Sequence, residues 1–141
     1  MTRILCATRG GEASYRMQDA VIALSKERQS ELLFLYVVNI EFLGKTERAV
    51  RPDVVEEEMA KLGSFLLEMA RERAQRQGIA ARGYLRYGHL SEELGAAALE
   101  HEADLIVLGK PAVEGGLYSL EELEVIAAEM EAETGIPVQI L

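Results

Sequence analysis

The sequence predicts an α/β domain on a five-stranded, mostly parallel sheet with helices on both faces. Three observations carry that expectation. Short apolar runs alternate with longer amphipathic stretches in the order β-α-β-α-β-α-β-α-β, which demands crossover connections between parallel strands. Helix start and stop residues stand at the joints between the two kinds of segment. The 49% apolar share of 141 residues supports a core, since a chain this long buries about 70% of the surface it exposes when unfolded. No internal repeat, low-complexity stretch or linker interrupts the pattern, so residues 1–141 are read as a single domain.

The elements follow in order. Arg3 to Thr8 is an apolar run stopped by Gly10-Gly11, a buried strand. Ala13, Met17, Ala20, Val21 and Leu24 then lie on one helix stripe, and Glu31 to Val38 is a second buried strand. Residues 39–51 form a polar connection. Pro52 stands at a first helical position, followed by Asp53, Glu56, Glu57 and Glu58. Arg71, Arg73 and Arg76 load the far end before Gly78. Acids first, bases last and a closing glycine suit the helix dipole and the usual stop. The inward stripe of this helix is predicted at Val55, Met59, Leu62, Leu66 and Met69.

Alternation from Ala81 to Tyr87, with Arg82 and Arg86 on the other side, predicts a half-exposed edge strand. Ser91 is positioned to cap a third helix with Leu94, Ala98 and His101 facing in. Asp104 to Gly109 is a fourth, apolar strand. Ser119 and Glu122 have capping-box spacing, with Tyr118 and Leu123 as the hydrophobic staple; Leu123, Ile126, Ala127 and Met130 form the stripe that Gly135 ends. Residues 136–141 are a fifth strand, and Pro137 argues for the edge of the sheet.

Charge and composition exclude several functions. The net charge is −9, and no basic residue follows Lys110 while seven glutamates do. An acidic chain repels a phosphate backbone, so nucleic-acid binding is not expected. The acidic stretch reads as a solvated helix face. No leader pattern precedes the first strand, and no apolar run approaches the roughly 18–20 residues a membrane span needs. One cysteine, Cys6, rules out an internal disulfide and fits the cytoplasm; mid-strand, it reads as an inert packing residue. His89 and His101 are the only histidines, and neither has partners at metal-ligand spacing, so no metal is expected. His89 reads as a rim residue and His101 as a core or capping one. No nucleophile elbow or Walker loop is present, and no catalytic residue can be named. A response-regulator receiver would need carboxylates where Thr8, Arg9 and Tyr87 stand.

The run Ile4-Leu5-Cys6-Ala7-Thr8-Arg9-Gly10-Gly11-Glu12-Ala13-Ser14 resembles the opening of universal stress proteins, a strand followed by A-T-D-G-S-E-x-S. The resemblance continues through Glu31 to Val38 and Gly88. It then takes in Ala103-Asp104-Leu105-Ile106-Val107-Leu108-Gly109, similar to the family's A-D-L-I-V-M-G, and ends with Gly135-Ile136-Pro137-Val138. It implies an open Rossmann-like sheet of order 3-2-1-4-5, adenine nucleotide alpha hydrolase-like, and usually a homodimer. Many members bind ATP or AMP between strands one and four. Sheet topology points to the same crevice, because ligands bind outside the carboxyl ends of the strands where their order reverses.

Two departures bear on that site. The ATP-binding branch carries G-x2-G-x9-G-[S/T] after strand four, so that backbone and helix N-terminus cradle phosphates. Here Gly109 supplies the first glycine, but Ala112, Glu122 and Leu123 stand at the remaining places. The capping equivalent, Ser119, follows a shorter loop containing Pro111, with Tyr118 before it. Glu121 and Glu122 would answer the helix dipole themselves and repel a polyanion. The second departure is Arg9, where nucleotide binders of the family place an aspartate.

The candidate ligand-binding residues are therefore Ala7, Thr8 and Arg9 after strand one, Val38 at the end of strand two, and Gly109 and Lys110 after strand four. Arg9 and Lys110 are expected to flank the crevice and accept a small anion, with Arg86 too distant to join them. The resulting expectation is a cytoplasmic homodimer with a binding or regulatory role in the stress response, without a cofactor and without ATP in the usual family manner. The alternative is binding of AMP or ATP through an altered loop; a third reading is an enzyme acting on a small anionic substrate. Ile136, Val138 and Ile140 on the last strand leave an edge that invites a second copy.

Overall fold

The computed structural model describes residues 2–9, 12–39, 52–111 and 119–141. The elements run β1 (Arg3–Ala7), α1 (Glu12–Arg28), β2 (Glu31–Asn39), α2 (Pro52–Arg76), β3 (Ala81–Gly88), α3 (Leu90–Glu100), β4 (Leu105–Leu108), α4 (Leu120–Thr134) and β5 (Val138–Ile140). The sheet order is β3-β2-β1-β4-β5, and all four strand pairs are parallel. This is the predicted fold class. Strands β1 and β4 run side by side, Ile4 opposite Leu105 and Cys6 opposite Val107, so the order reverses between them.

Alternation along the strands divides the core into two layers. Ile4, Cys6, Leu32, Phe34, Leu105 and Val107 face α1 and α2. Leu5, Leu33, Leu35, Ile106 and Leu108 face α3 and α4. The central strands are buried on both faces, as a parallel sheet between helix layers requires.

Helix faces are where sequence and structure part. In α1, Ala20 is exposed, while Ile22 and the polar Ser14, Gln18 and Ser25 are buried. Each of these polar side chains has a partner. The Gln18 amide donates to Thr8 Oγ1 at 2.8 Å, Ser14 Oγ bonds Thr8 Oγ1 at 3.2 Å, and Ser25 Oγ donates to the Ser30 carbonyl at 2.7 Å. An apolar stripe cannot reveal such positions. In α2 the buried face is Gly63, Leu67, Ala70 and Ala74, and Leu62 is 51% exposed. Small residues let the helix come close to the sheet. A Cβ on Gly63 would fall 2.4 Å from the Tyr36 ring.

Helix ends follow the sequence more closely. Ser119 caps α4, with Glu122 N–H donating to Ser119 Oγ at 3.1 Å and Ser119 N–H to Glu122 Oε1 at 3.4 Å. Gly135 closes that helix in the left-handed conformation, at φ 74°. Tyr118 of the proposed staple lies outside the described residues, as do Gly10, Gly11 and Ala112. The start of α3 is a correction: its N-cap is His89, and Ser91 falls within the helix. The helix begins two residues earlier than a Ser91 cap would place it, which takes the half-buried Leu90 into its first turn. His101 is the C-cap of the same helix, its ring 4.4 Å from that of Tyr84.

Candidate functional site

The carboxyl ends of β1, β2 and β4 open into a crevice lined by Ala7, Thr8, Arg9, Leu35, Val37, Asn39, Leu90, Leu108, Gly109 and Leu123, with a cavity volume of about 70 Å³. Ala7, Leu35, Val37 and Leu108 all belong to the α3/α4 side of the sheet. The crevice therefore lies on that side, walled by Leu90 at the start of α3 and Leu123 in the first turn of α4. It is an apolar slot with polar groups near its rim, the usual make-up of a small-ligand site.

Of the six candidate ligand residues, Ala7, Thr8, Arg9 and Gly109 are brought together here. Val38 is not. It is fully buried and points to the opposite face, because its neighbours Val37 and Asn39 take the crevice side. Lys110 is also absent from the wall. It is exposed, and its backbone N–H turns toward β5 to reach the Leu141 carbonyl at 3.1 Å. The expected pair of flanking cations thus reduces to Arg9 in the crevice wall. Arg86 is held elsewhere, donating to Glu93 at 3.0 Å and Glu100 at 2.7 Å.

Sequence reasoning missed Leu35, Val37, Asn39, Leu90 and Leu123. Their signal is the strand period, which sets Leu35 and Val37 on one face, but which face carries the crevice follows only from where the helices pack.

The β1 end is held by a small polar network. Thr8 N–H donates to the Leu35 carbonyl at 2.8 Å, and Arg9 N–H to Ser14 Oγ at 3.2 Å. With Gln18 behind Thr8, these bonds tie the turn that carries Arg9 to the first turns of α1. Cys6 lies beneath, fully buried, with Sγ 2.9 Å from Met17 Sδ. Burial pushes its thiol far above the ordinary cysteine value, so it is not a thiolate nucleophile.

At the mouth of the crevice, α4 begins with an occupied cap. The Glu122 N–H is bonded to Ser119, and Glu121 and Glu122 fill the first turn. Among the described residues no group of His, Cys, Asp or Glu side chains is arranged to hold a metal ion. No helix among them is long and apolar enough to cross a membrane.

The parallel sheet with its order reversing between β1 and β4, and a crevice at that switch, defines an open α/β fold of the Rossmann-like kind. Residues 1–134 match the universal stress protein family, and the chain belongs to it. The universal stress protein YxiE of Bacillus subtilis is 30% identical over 120 residues, covering 80% of this chain and 81% of that protein. Among solved structures, the universal stress protein UspA of Lactobacillus plantarum superposes with a TM-score of 0.78 at 16% identity, covering 99% of this chain and 97% of that one. A universal stress protein in complex with cAMP superposes with a TM-score of 0.70 at 20% identity, covering 99% and 96%.

Proposed function

We propose that this chain is a binding and regulatory protein of the stress response, cytoplasmic and homodimeric, that does not hold ATP in the manner of the family's nucleotide-binding branch. One observation carries this reading. At the N-terminus of α4, where phosphates would lie, the Ser119–Glu122 capping box takes a backbone donor and two glutamates fill the first turn. A polyanion there meets like charge and one fewer free N–H group.

A second reading is favoured by the crevice itself. Its walls of Ala7, Leu35, Val37, Leu108 and Leu123 offer an apolar face against which a flat ring such as adenine can lie at the mouth, about 70 Å³ being too little to enclose one. One structural relative is a cAMP complex. A nucleotide with a single phosphate asks less of α4 than ATP does. Native mass spectrometry of the protein as purified separates the two. An empty dimer supports the first reading, and a retained adenine nucleotide supports the second. ATP bound more tightly than AMP in calorimetry overturns the first.

The dimer would form through β5. Ile136, Val138 and Ile140 pack their side chains toward the α3/α4 core, so pairing there would rest on backbone groups. Leu141 N–H donates to the Leu108 carbonyl of β4 and its C=O accepts from Lys110 N–H just beyond that strand, and alternation leaves the Ile140 N–H on the outer edge. Ile140→Pro removes that donor without taking a β4 bond and should give monomers in analytical ultracentrifugation. A dimer of undiminished stability would refute this edge.

A further inference from the structure

We propose a second ligand site, a seat for a compact phosphate-bearing small molecule in the groove between the C-terminal halves of α1 and α2. It is independent of how the crevice is used. Asp19, Ile22, Ala23 and Lys26 form one wall; Arg73, Arg76 and Gln77 form the other, around a cavity of about 560 Å³. That is within the size range of metabolite pockets. Three cations face one carboxylate in a chain whose net charge is −9, so the groove is a local positive field on an acidic protein.

The cations are not equivalent. Arg73 donates to both oxygens of Asp19, at 2.6 and 3.1 Å, and its guanidinium carbon lies 5.0 Å from the centre of the Tyr15 ring. Two of its five N–H groups are engaged, and three are left on a fork whose direction is already set. Holding that fork in place lowers the ordering cost of binding an anion. Lys26 and Arg76 are exposed and have no ion pair among the described residues.

Basic residues in the last turn of a helix answer its dipole, and that accounts for Lys26 on α1 and Arg76 on α2 taken singly. It does not account for their meeting, with Arg73, over a lined cavity. Exposed Ala23, with a trace of the buried Ile22 beside it, and the Gln77 amide give such a ligand a small apolar surface and a neutral polar partner beside its phosphate. The chain as a whole carries a net charge of −9, which disfavours a long polyanion and favours a small molecule as occupant.

The test is calorimetric titration of the intact protein with inorganic diphosphate, at about 0.05 M and 0.15 M ionic strength. Saturable binding that weakens with salt is expected. Lys26→Gln with Arg76→Gln should weaken it at least about tenfold, because each removes a charge-assisted bond. Both residues are on the surface, so circular dichroism should show an unchanged fold. Arg9→Ala, in the crevice wall, should leave diphosphate binding as it was. Amide signals of Ala23, Lys26 and Gln77 should shift in NMR spectra, and those of Thr8 and Gly109 should not. Orthophosphate binding as tightly as diphosphate would assign the seat to free phosphate, with the site retained. No saturable binding, binding indifferent to the double substitution, loss in Arg9→Ala, or a glutamate-rich peptide binding more tightly than diphosphate would each overturn the proposal.

Discussion

The crevice and the α1/α2 groove lie at opposite ends of one sheet and are made of different material. The crevice is cut into the core. Leu35, Leu108 and Leu123 line it while being at most 2% exposed, and its volume is about 70 Å³. The groove lies on helix surfaces, lined by long charged side chains around about 560 Å³. A cavity walled by core residues has a shape fixed by close packing, so its selectivity would be steric. A cavity walled by exposed cations is tuned by charge, so its selectivity would be electrostatic and sensitive to salt. The difference teaches that substitutions in the first disturb folding and binding together, whereas those in the second leave the fold almost untouched.

That contrast can be broken by stability measurements. The largest effect is expected for Leu123→Ala, which empties a buried position shared by the crevice wall and the α3/α4 core. Chemical denaturation should show a loss of about 2–5 kcal/mol. A loss below about 1 kcal/mol would mean that the crevice wall is separable from the core. Next comes Ser119→Ala, which removes the capping bond beside the crevice and should cost about 1 kcal/mol. The same substitution should leave any affinity for ATP unimproved, because Glu121 and Glu122 remain.

Smaller effects belong to the groove. Asp19→Asn removes the charge and one prong of the contact with Arg73, and with the Asp19 side chain more than half exposed and that of Arg73 about one-third exposed the expected loss is at most about 1 kcal/mol. The hydrogen bond from Arg73 holds the Asp19 carboxyl below the ordinary carboxylate range; slight burial opposes this and the charge of Arg73 adds to it. A depressed folded value means that the stabilisation is complete above the unfolded value of about 3.9 and is lost as pH falls through the folded one. Wild type and Asp19→Asn should therefore differ at neutral pH and converge as acid protonates the folded carboxyl, below the ordinary carboxylate range. A difference that grew in acid would contradict the ion pair. Lys26→Gln should change stability by no more than about 0.5 kcal/mol.

Much of this architecture is legible in the residues. Strand positions announce themselves as apolar runs, and Ser119, Glu122 and Gly135 act locally, through bonds to backbone within a few residues. The α2 boundaries were equally legible, since a proline at the start and basic residues in the last turn suit the helix backbone and dipole whatever else they meet. Position at the switch point was readable for Ala7, Thr8, Arg9 and Gly109, because strand ends can be counted along the chain.

Other features depend on what comes from elsewhere in the chain. Val38 and Lys110 stand at strand ends as well, yet a strand end has two faces and an outer side, and only packing chooses among them. Gln18 and Ser14 are buried because Thr8 and the Arg9 N–H receive them, a match no apolar pattern records. The face of α2 turned inward at Gly63, Ala70 and Ala74, since the sheet rewards close approach more than bulk at that surface. The convergence of Lys26, Arg73 and Arg76 has the same origin. By itself the sequence determined the order of strands and helices, their caps and the acidity of the whole, because these rest on neighbours along the chain. The tertiary structure alone decided which side chains share a cavity, because that depends on contacts between elements far apart in the chain.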